Sequence, residues 1–131
     1  MAKPSPRAVA DLAYLKERHP DTQTTEIDNG NVWVALELPI PAGWGVITVK
    51  LWFSVPLAYP ATPPDCFWVE PQLTINGGVP QNSQHNYQMP DLSRSLHWFS
   101  WHINNDNQWD GNRDTLMTWV TACRKRLDQV K

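Results

Sequence analysis

The chain has 131 residues and a formal net charge of −2, with 11 lysines and arginines set against 13 aspartates and glutamates. That length suits one domain around one core, taken as 1–131, and the near-balanced charge offers no broad basic face for nucleic acid or for an anionic membrane surface. Residues 1–6 carry no apolar run, so neither a signal peptide nor a membrane span is expected and the expected location is cytoplasmic. Ser5-Pro6 reads as the cap and first residue of a helix, and Val9, Leu12, Ala13 and Leu15 recur at helical spacing until His19-Pro20 stops them. A weak strand over 24–27 meets Asp28-Asn29-Gly30, where Asn-Gly predicts a type I′ hairpin turn. In the next strand Val32, Val34, Leu36 and Leu38 alternate with Trp33, Ala35 and Glu37, the period of a sheet with one face on a core.

After a turn over 39–45, Ile47, Val49, Leu51 and Phe53 alternate with Thr48, Lys50, Trp52 and Ser54 in a third strand. A proline-punctuated loop over 56–64 leads to a short fourth strand, 66–69, closed by Pro71. The segment 72–108 shows no sustained period and is too long for an ordinary connection, which marks it as functional or as wrapped over the fold. The last helix is the clearest: Leu116, Trp119, Val120, Cys123, Leu127 and Val130 form one stripe, with Arg124, Lys125, Arg126 and Asp128 away from it and Asn112 or Asp114 as its cap. These elements predict an α+β domain, a four-stranded antiparallel meander with an N-terminal and a C-terminal helix.

The stretch Tyr59-Pro60-Ala61-Thr62-Pro63-Pro64, set after a strand ending Phe53-Ser54-Val55-Pro56 and before Cys66-Phe67-Trp68-Val69, resembles the tyrosine–proline signature of ubiquitin-conjugating enzymes. Pro60, Pro63 and Pro64 fix φ through the crossing, and the Tyr59 ring can pack beneath it with its hydroxyl on backbone. Trp109, a tryptophan just before a helix, also fits that superfamily, so the resemblance covers nearly the whole chain. Asp65-Cys66-Phe67-Trp68-Val69-Glu70-Pro71 and Phe99-Ser100-Trp101-His102 look most like bacterial branches found with ubiquitin-like proteins, activating enzymes and JAB-type peptidases. The resemblance implies that the conjugating-enzyme fold is shared and that the partners are a ubiquitin-like protein, its activating enzyme and, in the same system, a JAB-type peptidase. It places the first helix, with Lys3, Arg7, Lys16 and Arg18, against the activating enzyme, and the sheet or the loops near Trp44 and Tyr59 against the ubiquitin-like protein. It implies no cofactor.

The resemblance breaks at the catalytic cysteine. Counting back from Trp109 over the family's usual spacing lands near Trp101, in Leu96-His97-Trp98-Phe99-Ser100-Trp101-His102, where no cysteine stands. Nor is the usual His-Pro-Asn recognisable in Val79-Pro80-Gln81-Asn82-Ser83. A thioester needs a thiol, since serine must be activated by a base and gives a far less reactive ester. The leading expectation is therefore a non-catalytic homologue that binds a ubiquitin-like protein or its activating enzyme.

Two other readings stay open. An active but atypical transferase would use Ser100, His102 or Cys66, whereas Cys66 on the fourth strand and Cys123 on the helix stripe otherwise read as core. A tryptophan-rich ligand-binding module would expose Trp33 and Trp52 on the sheet face opposite the core. His97 and His102, with His85, Asp91 and Asp106 as further donors, sit on an irregular segment whose spacing specifies no geometry, so no metal centre is expected.

Overall fold

Two helices lie against one face of a six-stranded antiparallel sheet in the computed structural model, which describes residues 2–103 and 108–131. Helix α1 spans Pro6–Arg18. The Ser5 hydroxyl accepts from the Ala8 amide, and Pro6 supplies the preset φ of a first helical residue. Ala8, Leu12 and Leu15 are its buried stripe. Helix α2, Leu116–Leu127, is capped by Thr115, which exchanges hydrogen bonds with Thr118 and Met117; neither Asn112 nor Asp114 is the cap. Asp114 points back instead and accepts from the Asp110 amide. Leu116, Trp119, Val120, Cys123 and Leu127 are buried as the stripe requires, while Val130 lies beyond the helix end and is exposed.

The strands are β1 (Gln23–Glu26), β2 (Val32–Pro39), β3 (Thr48–Val55), β4 (Phe67–Glu70), β5 (Ser83–Gln88) and β6 (Ser95–Phe99). They lie in the order β1-β2-β3-β4-β6-β5, and every pair is antiparallel. The sheet therefore has six strands and not the expected four, the two extra coming from a hairpin in the segment that carries no readable period. The reason is local. β5 is the polar edge strand Ser-Gln-His-Asn-Tyr-Gln, and a register shift between Gln84 and Tyr87, with Asn86 at φ 53°, interrupts its alternation. The β1–β2 turn also differs from the type I′ expectation. Only Gly30 has positive φ, 92°, and its amide donates to Ile27 O while the Ile27 amide donates to Asn31 O. That is a three-residue loop with the glycine as bulge residue.

Alternation sets two faces. Val32, Val34, Leu36 and Leu38, with Val49, Leu51, Phe53 and Val55, join Phe67, Val69 and Phe99 in the core beneath both helices; Ile47 precedes β3 and is exposed. The opposite face carries a second cluster, Trp33, Trp68 and Met89, backed by Trp52, Tyr87 and Trp98. The tip of the β5–β6 hairpin curls over it, and Asp91, at φ 67°, accepts from Asn29 and from the Trp33 indole. Trp33 is buried as a result, and the Arg94 guanidinium and Lys50 ammonium lie 4.7 and 5.3 Å from the Trp52 ring centre. The stacking platforms expected of a ligand-binding module are therefore filled by the chain itself. Among the described residues no helix is long and apolar enough to cross a membrane.

Candidate functional site

The proline motif ends on a residue that breaks the local rule. Cys66 has φ 61°, a region that costs a side-chain-bearing residue about 1–3 kcal/mol unless its surroundings hold it there. Its amide donates to Trp101 O at 2.9 Å, so the entry of β4 is tied to the chain just beyond β6. The next residue along, His102, has its Nδ1 hydrogen-bonded to the Asp65 carboxylate, 37 positions earlier in sequence. One ligand-capable atom from each of Asp65, Cys66 and His102 lies within 4.8 Å of the other two.

Their surroundings differ. Cys66 is buried, whereas the Asp65 and His102 side chains are 70 and 56 % exposed. Burial pushes the Cys66 thiol above its ordinary pKa, and the Asp65 charge adds to this; hydrogen bonds from the Trp101 backbone and the Trp98 indole pull the other way. The thiol is therefore protonated near neutral pH, and the His102 imidazole lies close to it. Asp65 engages Nδ1 of His102, so a carboxylate, an imidazole and a thiol are gathered at one point of the surface. His102 also forms one wall of a cavity of about 600 Å³ that continues between Ile103 and the α2 side chains Met117, Thr121 and Lys125.

The family motif is built into the fold from below. The Tyr59 hydroxyl bonds the Asp11 carboxylate on α1, a side chain where a backbone partner was expected, and burial together with that carboxylate raises its pKa strongly. Trp109 packs on the Tyr59 ring with centroids 5.8 Å apart and donates its indole N–H to Pro60 O at 2.6 Å. A Cβ at Gly111 would stand 2.7 Å from that same Pro60 O, so only glycine fits. Pro64 is buried, and Pro60 and Pro63 are half-buried.

Arg7 belongs to this network. Its guanidinium pairs with Asp11 and donates to Gly111 O at 2.7 Å and Asp114 O at 2.6 Å, tying α1 to the start of α2. Lys3, Lys16 and Arg18 are exposed. Trp44 is buried, with its indole N–H donating to Leu127 O at 2.7 Å, which makes it a packing residue.

The remaining candidates separate. His97 is fully buried: its Nδ1 accepts from the Leu73 amide at 2.9 Å and its Nε2 reaches Ser83 Oγ at 2.9 Å. Burial first, then His85 and Arg126, lower its pKa to about 3. His85 is held by Leu73 O at 2.7 Å, and Asp91 serves the hairpin tip. His85 and His97 meet edge to face with ring centres 4.6 Å apart, His102 pairs elsewhere with Asp65, and Asp106 lies outside the described residues. Ser100 is half-buried with its amide on Asn82 O, and the partner of His102 is Asp65. Cys123 is fully buried, and its thiol is held well above its ordinary pKa by that burial.

Sequence reasoning named Cys66 and His102 as separate candidates and missed Asp65. Its only signal was adjacency to Cys66, and nothing in the spacing announces that 65–66 meets 101–102. Comparison with known families gives a match over residues 8–130 to the family described as Prokaryotic E2 family E. Comparison with curated proteins and with solved structures gives no match.

Proposed function

The chain belongs to prokaryotic E2 family E, and on that premise we propose that it accepts a ubiquitin-like protein as a thioester on Cys66, with His102 as the base and Asp65 as the residue that orients it. The single observation that carries this reading is the 2.9 Å hydrogen bond from the Cys66 amide to Trp101 O. Residue 101 is where the resemblance leads one to look for the family's cysteine, and Cys66 lies against that position from the neighbouring strand. A positive φ at a non-glycine residue and a histidine–carboxylate pair at the same point support the reading independently.

In the transfer step, Cys66 Sγ attacks the carbonyl of a ubiquitin-like protein held as a thioester on its activating enzyme. A new S–C bond forms, the old S–C bond breaks, and the Cys66 proton passes through His102 to the departing thiolate. Lys3, Lys16 and Arg18, exposed on or before α1, remain free to meet the activating enzyme, whereas Arg7 already serves the interior. The test is intact-mass spectrometry after incubation with ATP, activating enzyme and ubiquitin-like partner. An adduct that a reductant removes, and that Cys66→Ala prevents, is the expected result. A chain that never gains mass overturns it.

A second reading is favoured by one observation, the 8 % exposure of Cys66. A thiol this enclosed suits a non-catalytic homologue that holds a ubiquitin-like protein for another enzyme, such as a JAB-type peptidase. Binding of the partner without any adduct is its signature.

A further inference from the structure

We propose that Asp65, Cys66 and His102 also form a binding site for a single zinc-class divalent cation. Tetrahedral zinc, with bonds of about 2.0–2.3 Å, places neighbouring ligand atoms about 3.3–3.8 Å apart. The carboxylate oxygen, thiol sulfur and imidazole nitrogen here all fall within 4.8 Å of one another. The Asp65 and His102 side chains are exposed and in direct hydrogen-bond contact with each other, while Cys66 stays fixed in the wall of the fold, so adjustment to those distances falls on the two surface side chains.

The donor set selects the ion. Thiolate and imidazole favour zinc and related late transition metals, whereas magnesium and calcium seek oxygen alone. Three protein ligands leave a fourth position for water, as in sites that are not closed structural centres. Among the described residues Asp65 has no lysine or arginine partner, so its charge is uncommitted apart from His102. Binding forms a metal–sulfur bond and releases the thiol proton to solvent.

The cluster differs from the histidine-rich segment in which a metal was weighed. His97 and His85 have their ring nitrogens on Leu73 and Ser83, and the set forms only when 65–66 meets 102. A cation held here occupies the same sulfur as a thioester, so the two exclude each other. That consequence rests on the proposed transfer reading; the binding site does not.

The test is competition for Zn²⁺ between the purified chain and a chromophoric chelator, with Co²⁺ as a spectroscopic probe. One equivalent per chain and a thiolate-to-cobalt charge-transfer band are expected. His102→Ala, an exposed change that leaves the fold intact, weakens binding about 10–100-fold, Cys66→Ser removes the charge-transfer band, and Cys123→Ala changes neither. No retention of Zn²⁺ against the chelator, or retention indifferent to both His102→Ala and Cys66→Ser, overturns the proposal. Zn²⁺ binding in a chain that forms no adduct leaves the site standing and removes the transfer reading, and an adduct-forming chain without Zn²⁺ binding does the reverse.

Discussion

The molecule holds a cysteine and a histidine in each of two regions, and treats them in opposite ways. In the interior, Cys123 and His97 are fully buried. Cys123 fills space on the apolar stripe of α2, and both ring nitrogens of His97 serve to satisfy the backbone and a hydroxyl around it. At the corner where the proline motif meets the end of β6, Cys66 sits on a left-handed backbone and His102 reaches outward to Asp65. The same side-chain types thus meet different surroundings: both ring nitrogens of His97 are committed to interior partners, whereas His102 stands at the surface against an exposed carboxylate.

Breaking the corner has the largest expected effect. Cys66→Ala abolishes the reductant-sensitive adduct, while Cys123→Ala leaves its yield unchanged, as read by intact mass. Next in size, His102→Ala slows adduct formation by about 10²–10⁴-fold, the usual worth of a positioned base, while stability stays within about 0.5 kcal/mol because the residue is exposed. If His102→Ala instead lowers stability and leaves the rate intact, the contrast between the two regions fails.

The interior responds in the other currency. His97→Gln is expected to cost about 1–3 kcal/mol by disturbing the partners of the Leu73 amide and Ser83, seen as a lower denaturant midpoint. It also carries a pH signature whose sign is fixed. The native imidazole titrates at about 3 and the unfolded one at about 6.5, so below about pH 6.5 the unfolded chain takes up a proton that the native state refuses. His97 therefore supports the fold fully above about pH 6.5 and progressively less as pH falls toward about 3; the Gln variant flattens that dependence in thermal melts. Smallest of all, Cys123→Ala leaves a void of methyl size and costs about 1 kcal/mol. An unchanged melting temperature in that variant would mean that the thiol is not packed as described.

Much of the fold was legible because its signals are local. The Ser5-Pro6 start, the α2 stripe and the alternation in β2 and β3 each need only the neighbouring residues to be read. β5 and β6 were not legible, since a polar edge strand with a register shift has no apolar period, and its pairing is repaid by β4 across the sheet. Trp33 was misplaced on an exposed face for a related reason. A strand's own pattern says which residues share a face, and whether that face is covered depended on the hairpin tip around Asp91.

By itself the sequence determined the two helices, the first four strands, the proline motif and the absence of a cysteine from 96–102. All of these are properties of residue type and short spacing. Only the tertiary structure decided that the Tyr59 hydroxyl meets Asp11, that Arg7 is spent on Gly111 and Asp114, and that Asp65, Cys66 and His102 converge. Convergence of that kind is created by the pairing of β4 with β6, a contact between residues far apart in the chain. No local pattern records it, because residues 65–66 and 101–102 become neighbours only once β4 and β6 are paired.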